Sequence, residues 1–173
     1  LPSDRCYDAI IVGAGMVGAT LCWLLANAGM RVALVEAQSA PPEYALSELP
    51  APRVSALTPV SQRLLTHVGA WPLMANARVT PYRHMQVWDA EGSGEIAFSA
   101  DEAGVSVLGH IVENDVTLSA LHVALARQAK ASVYFDAPVA ALEETGSGRQ
   151  LRLANGQTLL APLVVAADGA RSA

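Results

Sequence analysis

Three glycines and one glutamate have the types and spacing to do chemistry: Gly13, Gly15 and Gly18, set as G-x-G-x-x-G in "GAGMVG", and Glu36, 18 residues after the last of them. In such a pattern the first glycine permits a tight turn. The second keeps a Cβ out of the path of a diphosphate, and the third lets a helix pack closely on a strand. A helix opening at this loop offers unpaired N–H groups and the positive end of its dipole, so no Lys or Arg is required there. An acidic side chain at the end of the next strand accepts both hydroxyls of an adenosine ribose and repels a 2′-phosphate. These residues therefore predict a site for FAD or NAD and not for NADP.

The chemistry depends on the elements that hold it. "YDAIIVGAGMVGATLCWLLANAGMRVALVEA" (7–37) has 22 uncharged positions from Ala9 to Met30, long enough for a membrane helix of about 20 residues. Four glycines interrupt it, and Ile10-Ile11-Val12 is a β-branched run ending at a glycine, which reads as a buried strand and a turn. A signal peptide should end at a small-residue cleavage site, yet this segment runs on into Arg31-Val32-Ala33-Leu34-Val35. The reading is strand, glycine turn, helix to about Ala28, strand.

Further along, "SAPPEYALSELPAP" (39–52) reads as a loop. Thr58 and Pro59 open a helix with Val60, Leu64, Leu65 and Val68 on one face. Pro81 to Ala100 carries two extended runs around Glu91-Gly92-Ser93-Gly94, a hairpin pattern. "VTLSALHVALARQAK" (116–130) predicts a helix with Leu118, Leu121, His122, Leu125 and Ala129 on one stripe. After a short strand at 133–135, three extended runs separated by Gly146-Ser147-Gly148 and Asn155-Gly156 suggest a meander, and "LVVAADGARSA" closes the chain with a buried strand ending at Asp168-Gly169. The fold class expected is α/β: a Rossmann-like FAD-binding fold with a β-meander and a small β-rich insertion, the substrate domain being incomplete. Residues 1–80 form the first part of the FAD-binding domain, 81–112 the insertion, and 113–173 the continuation.

The 173 residues suit one domain or slightly more, on a prior of about 150 residues each. Net charge is −5, with eleven Lys and Arg scattered and unclustered, which argues against a nucleic-acid partner. Cys6 and Cys22 make neither a disulfide framework nor a C-x-x-C pair, and favour a reducing compartment. The opening "LPSDRCYD" lacks a Met and reads as a trimmed start.

Other residues invite sharper readings that their context does not support. His67, His84, His110 and His122 lack ligand spacing, so no metal site is expected. Ser55, Ser61 and Ser119 lack the G-x-S-x-G setting of a nucleophile. Trp23, Trp71 and Trp88 are expected to pack rather than to stack ligands. Asp101-Glu102 and Glu143-Glu144 sit beside turns as solvated charge.

Five segments together carry a family resemblance: "IIVGAGMVGATLCWLLANAGMRVALVEA", "RVSALTPVSQRLL", "PYRHMQVWD", "HIVENDVTLSALHVAL" and "LVVAADGARS". The chain resembles the aromatic flavoprotein monooxygenases of the p-hydroxybenzoate hydroxylase type, and within them the ubiquinone-biosynthesis hydroxylases. The first and last segments are shared across the superfamily, whereas "RVSAL", "PYR…VWD" and "VEND" are nearer the quinone branch. The resemblance implies FAD, with NAD(P)H as co-substrate. Gly13, Gly15, Gly18 and Glu36 would hold the ADP part, Arg53 would reach the flavin side, and either Glu113 or Asn114 would lie along the ribityl chain. Asp168 and Gly169 match an Asp-Gly motif near the diphosphate that is linked to NADPH use, and Ala14, Ala37 and Val139 complete the implied set.

The same resemblance implies no catalytic side chain, because the flavin carries the chemistry. The substrate would be a polyprenylated phenol or quinol, hydroxylated with O2 in ubiquinone biosynthesis. The protein would be cytoplasmic, with peripheral association at the inner face of the membrane or with a quinone-synthesis complex as further implications. Members of the family continue beyond an Asp-Gly-Ala-Arg-Ser segment into a Gly-Asp motif and a closing substrate domain, so the chain as given is expected to be inactive alone. Two alternatives stay open: another FAD- or NAD-dependent oxidoreductase, and a non-catalytic subunit of a quinone-synthesis complex.

Overall fold

The computed structural model describes residues 5–41, 50–146 and 148–169. In chain order the first elements are β1 (Arg5–Cys6), β2 (Ala9–Val12), α1 (Met16–Asn27) and β3 (Val32–Val35). There follow β4 (Val54–Leu57), α2 (Pro59–His67), α3 (Trp71–Ala77), β5 (Val79–Tyr82), β6 (His84–Trp88), β7 (Glu95–Ser99) and β8 (Gly109–Glu113). The last are α4 (Asn114–Leu125), β9 (Ala131–Tyr134), β10 (Val139–Thr145), β11 (Gly148–Leu153), β12 (Thr158–Ala161) and β13 (Leu163–Ala166). The chain divides into two compact units, Leu1–Glu43 with Leu118–Ala173, and Tyr44–Thr117.

The first unit is built on a parallel sheet in the order β13-β2-β3-β9. Its strands are near-continuous apolar runs, "AIIV" and "VALV", because a parallel sheet is covered on both faces. Side chains alternate along each strand, so Ile10, Ala33 and Val35 share one face. There they join Leu151, Leu153 and Leu159 of the second sheet, ordered β1-β12-β11-β10, in one buried cluster. The helix α1 buries Gly18, Ala19, Cys22 and Ala26, a narrow stripe of small residues that suits close approach to a sheet. The strand, turn, helix, strand reading of residues 7–37, the meander and the returning final strand are all present. The Ser147 part of the 146–148 turn and residues 42–49 of the expected loop lie outside the described residues, as do 170–173 of the closing segment.

The second unit holds a three-stranded antiparallel sheet, β4-β8-β5, and a separate hairpin of β6 and β7. Thr58 caps α2 as expected, its hydroxyl accepting the Ser61 N–H at 3.2 Å with Pro59 in the first turn. Only Leu65 and Val68 of the anticipated apolar face are buried, whereas Val60 and Leu64 are exposed. On the hairpin Met85 lies opposite Phe98 and Val87 opposite Ile96, giving one apolar face, all of it exposed. Trp88 is 68% exposed, which corrects its assignment to packing.

The helix expected over 116–130 begins earlier and ends earlier, at Asn114 and Leu125. Asp115 lies in its first turn, where a carboxylate favours the dipole. Ala129 falls beyond the end and is exposed, so the buried stripe is Val116, Ala120, Leu121, Ala124 and Leu125.

Candidate functional site

The loop between β2 and α1 gives each glycine a different surrounding. Gly13 has φ +102°, and a Cβ on it would lie 2.4 Å from the Ala167 carbonyl oxygen. Gly18 sits so close that a Cβ there would lie 1.9 Å from the Gly13 carbonyl oxygen. Gly15, by contrast, is the N-cap of α1 with φ −67°, open to any residue, and a Cβ on it would meet nothing within 4 Å. The fold thus demands glycine at 13 and 18. It leaves room at 15, where the first N–H groups of α1 have no intrahelical acceptor and no side chain caps them.

Ladder bonds tie this loop to the sheet. The Gly13 N–H donates to the Val35 carbonyl at 2.7 Å, and the Ala167 N–H to the Val12 carbonyl at 2.7 Å. Asp168 and Gly169 leave β13 directly beside the loop: a Cβ at Gly13 would come within 2.8 Å of the Asp168 Cα. Both are exposed, and Gly169 has φ +79°.

Glu36 ends the second strand of the motif and turns its carboxylate back towards the glycine loop. Its Oε2 accepts the Ala14 N–H at 2.8 Å and its Oε1 accepts the Gln38 N–H at 2.9 Å. Each oxygen keeps further lone-pair capacity, so a ribose diol remains a chemically suitable donor. Beside it opens a cavity of about 460 Å³ lined by Ala14, Gly15, Glu36, Gln38, Leu118, His122 and Phe135, among others. That volume lies within the range of small-ligand and cofactor pockets.

His122 was not singled out by motif. Its Nε2 lies 3.0 Å from the Ala14 carbonyl oxygen, so the ring nitrogen donates and Nδ1 is the free acceptor of the neutral form. The ring packs against Phe135 with centroids 5.4 Å apart. Burial pushes its pKa below the ordinary 6.5, partly opposed by the Ala14 hydrogen bond and the Glu36 charge. The signal available in the sequence was a histidine on an otherwise apolar helical stripe. Leu118, Phe135, Gln38, Ser39 and Pro41 carried no signal at all.

Gly13, Ala14, Gly15, Gly18, Glu36, Asp168 and Gly169 therefore lie around one loop. Ala37 follows Glu36 and is exposed, and Val139 begins β10, paired with Leu153; neither is among the residues lining the cavity. The remaining three belong to the second unit. Arg53 is exposed, and its carbonyl accepts the Asn114 N–H at 3.0 Å. The Asn114 Oδ1 accepts the Ser55 hydroxyl at 2.6 Å. Glu113 is buried, accepting the Arg78 guanidinium at 3.0 Å through Oε1 and the Ala51 N–H at 2.7 Å through Oε2. Among the described residues no group of three His, Cys, Asp or Glu could hold a metal ion, and no helix is long and apolar enough to cross a membrane.

A family model described as FAD binding domain matches residues 6–173. Among curated proteins, the chain is 35% identical over 165 residues to the 3-demethoxyubiquinol 3-hydroxylase of Escherichia coli, covering 95% of this chain and 42% of that protein. It is 35% identical over 179 residues to the mitochondrial ubiquinone biosynthesis monooxygenase COQ6 of Xenopus tropicalis, covering 96% of this chain and 38% of the relative. The chain thus spans about two-fifths of the length of these curated relatives. The solved structure of the flavin-dependent monooxygenase PieE in complex with FAD and substrate superimposes with a TM-score of 0.74 at 19% identity, covering 98% of this chain and 31% of that one, which speaks to the fold.

Proposed function

From the premise that the chain belongs to the FAD binding domain family, we propose that it forms the cofactor-holding part of a monooxygenase that hydroxylates the ring of a polyprenylated phenol or quinol in ubiquinone biosynthesis. The observation that carries the cofactor assignment is the contrast among the glycines: two are required by backbone contact, and Gly15 is required by nothing in the protein. A residue kept free of a side chain beside an open cavity and a helix N-terminus is the fit expected for a diphosphate. Glu36 would hold the ribose through its remaining lone pairs, and Ala14, Gly15 and the first turn of α1 would hold the diphosphate. Asp168 and Gly169 flank it from β13.

When bound, the flavin would supply two-electron redox chemistry between NAD(P)H and O2. In the overall reaction so proposed, one oxygen atom of O2 would end in the ring and the other in water, with the two electrons drawn from NAD(P)H. The residues of this chain bind and orient; none supplies a nucleophile. By the family likeness, Arg53 and either Glu113 or Asn114 would belong to the binding set at the flavin end, with Ala37 and Val139 as further members. The substrate class follows from the names of the relatives, which are hydroxylases and monooxygenases of ubiquinone synthesis. Cytoplasmic placement, with peripheral contact at the inner membrane face or with a quinone-synthesis complex, belongs to the same reading.

The test titrates FAD into this chain and, in a protein joining this chain to the remaining length of its relatives, supplies NAD(P)H, isotopically labelled O2 and a polyprenylated phenol. Expected are quenched flavin fluorescence at one FAD per chain and one labelled oxygen in the ring. Unbound flavin overturns the cofactor part. Bound flavin with NAD(P)H consumed and no labelled ring overturns the substrate part.

A further inference from the structure

We propose that His122 is a positioning residue for the diphosphate of the bound nucleotide, acting through the Ala14 peptide; this rests on assigning the Glu36 cavity to FAD. The two polar groups of Ala14 are held by two different side chains. Its N–H donates to Glu36 Oε2 at 2.8 Å, and its carbonyl accepts from His122 Nε2 at 3.0 Å. These groups belong to consecutive peptide planes, 13–14 and 14–15, so the pair fixes both.

The second plane is the one that matters for an anion. Peptide groups are planar and trans, so the Ala14 carbonyl and the Gly15 N–H point in opposite directions on one rigid unit. Holding the carbonyl at His122 fixes the direction of the Gly15 donor at the N-terminus of α1. Without the pin the plane is free to rotate, because Gly15 imposes no steric limit of its own. A rotated plane would present a carbonyl oxygen where the diphosphate needs a donor, and the negative end of that dipole would face an anion.

His122 can do this in either charge state, since Nε2 carries a proton in the imidazolium and in the neutral tautomer that the Ala14 contact selects. Its ring is held independently by Phe135, so the donor is aimed by packing from β9's C-terminal side as well as by α4. Glu36 is the charged neighbour on the cavity side. The histidine therefore orders the loop without touching the ligand's phosphate.

The experiment compares ADP binding by isothermal titration in the parent, His122→Phe and His122→Gln, with the melting temperature of each. His122→Phe keeps an aromatic ring against Phe135 and removes the donor; His122→Gln restores a donor at about the reach of Nε2. The expected result is ADP affinity about tenfold weaker in the Phe variant, the loss of one oriented hydrogen bond, and within about twofold of the parent in the Gln variant. At saturating ADP the Gly15 amide signal in a nitrogen–proton spectrum should move further in the parent and the Gln variant than in the Phe variant. Should the Phe variant fail to fold, His122→Leu takes its place with the same expectation. Parent-like ADP affinity in the Phe or Leu variant overturns the inference, as does equal weakening in Phe and Gln variants. A parent chain that binds no ADP overturns instead the assignment of the cavity, so the two failures are told apart.

Discussion

Gly18 lies so close to Gly13 that a Cβ at residue 18 would stand 1.9 Å from the Gly13 carbonyl oxygen, while a Cβ at Gly15 would meet nothing within 4 Å. The two positions therefore separate fold from ligand. Gly18→Ala must push α1 off β2 and is expected to lower stability by about 2 kcal/mol or more, in the range of overpacked cores. Gly15→Val should leave the melting temperature and circular dichroism near those of the parent and abolish FAD binding. Retained FAD affinity in Gly15→Val would remove the diphosphate from this loop.

Glu36 does two things at once, accepting the Ala14 and Gln38 N–H groups and, on the proposed reading, the ribose hydroxyls. Glu36→Ala should weaken FAD by about 1.5 to 3 kcal/mol, the worth of one charge-assisted hydrogen bond that is not replaced. Glu36→Gln should lose less, because its amide oxygen still accepts one of these N–H groups. A fluorescence titration that places the two variants equal to the parent would reduce Glu36 to a loop fastener.

How far the sequence could be read depends on how local the physics is. The strand, loop and helix around Gly13 to Glu36 were legible because turn geometry, helix capping and strand burial are all set within thirty residues. Val60 and Leu64 are exposed although they belong to the apolar set read for α2, because periodicity reports which side chains share a face and not whether anything covers it. The early start of α4 was missed because "EN" reads as strand end and helix start alike. His122 stands out in the sequence only as a histidine on an apolar stripe; its partner, the Ala14 carbonyl, lies 108 residues away and belongs to the backbone, so no side-chain pattern links the two. Glu113 was singled out for a cofactor role through family likeness. Its contacts to Arg78 and Ala51 are long-range and could not be read from spacing.

Those contacts give Glu113 a structural consequence of its own. The carboxylate is buried and faces the Arg78 guanidinium, which is itself only 29% exposed. Glu113→Ala leaves a largely enclosed cation without this counter-charge and the Ala51 N–H without this acceptor. A loss of about 3 kcal/mol in urea unfolding is expected, the lower end for breaking a buried pair from one side. A loss below about 1 kcal/mol would mean that the pair behaves as a surface one.

The two thiols should differ sharply in reactivity. Burial pushes the Cys22 pKa up to about 12, so at neutral pH it carries almost no thiolate, while Cys6 is exposed. An aromatic disulfide reagent should label one thiol quickly and the second only in denaturant. Cys6→Ser should leave no fast phase; a persisting one would place Cys22 within reach of solvent.

The last expectation concerns pH. The folded state holds His122 below its ordinary 6.5 because burial disfavours the imidazolium. Above 6.5 both folded and unfolded chains carry a neutral ring, and this group adds no penalty. As the pH falls through 6.5 the unfolded chain takes up the proton first, so it binds more protons than the folded one and stability drops until the folded ring also titrates. Glu36, facing the ring from the end of β3, limits the drop because its charge attracts the imidazolium. Urea midpoints at about pH 7.5 and about pH 5.5 should therefore differ more in the parent than in His122→Gln, which has no proton to take up. Removing Glu36 in the parent should steepen the acid loss by withdrawing that attraction. Identical pH dependence in the parent and His122→Gln would show that the ring is hydrated enough to titrate as it does in the unfolded chain.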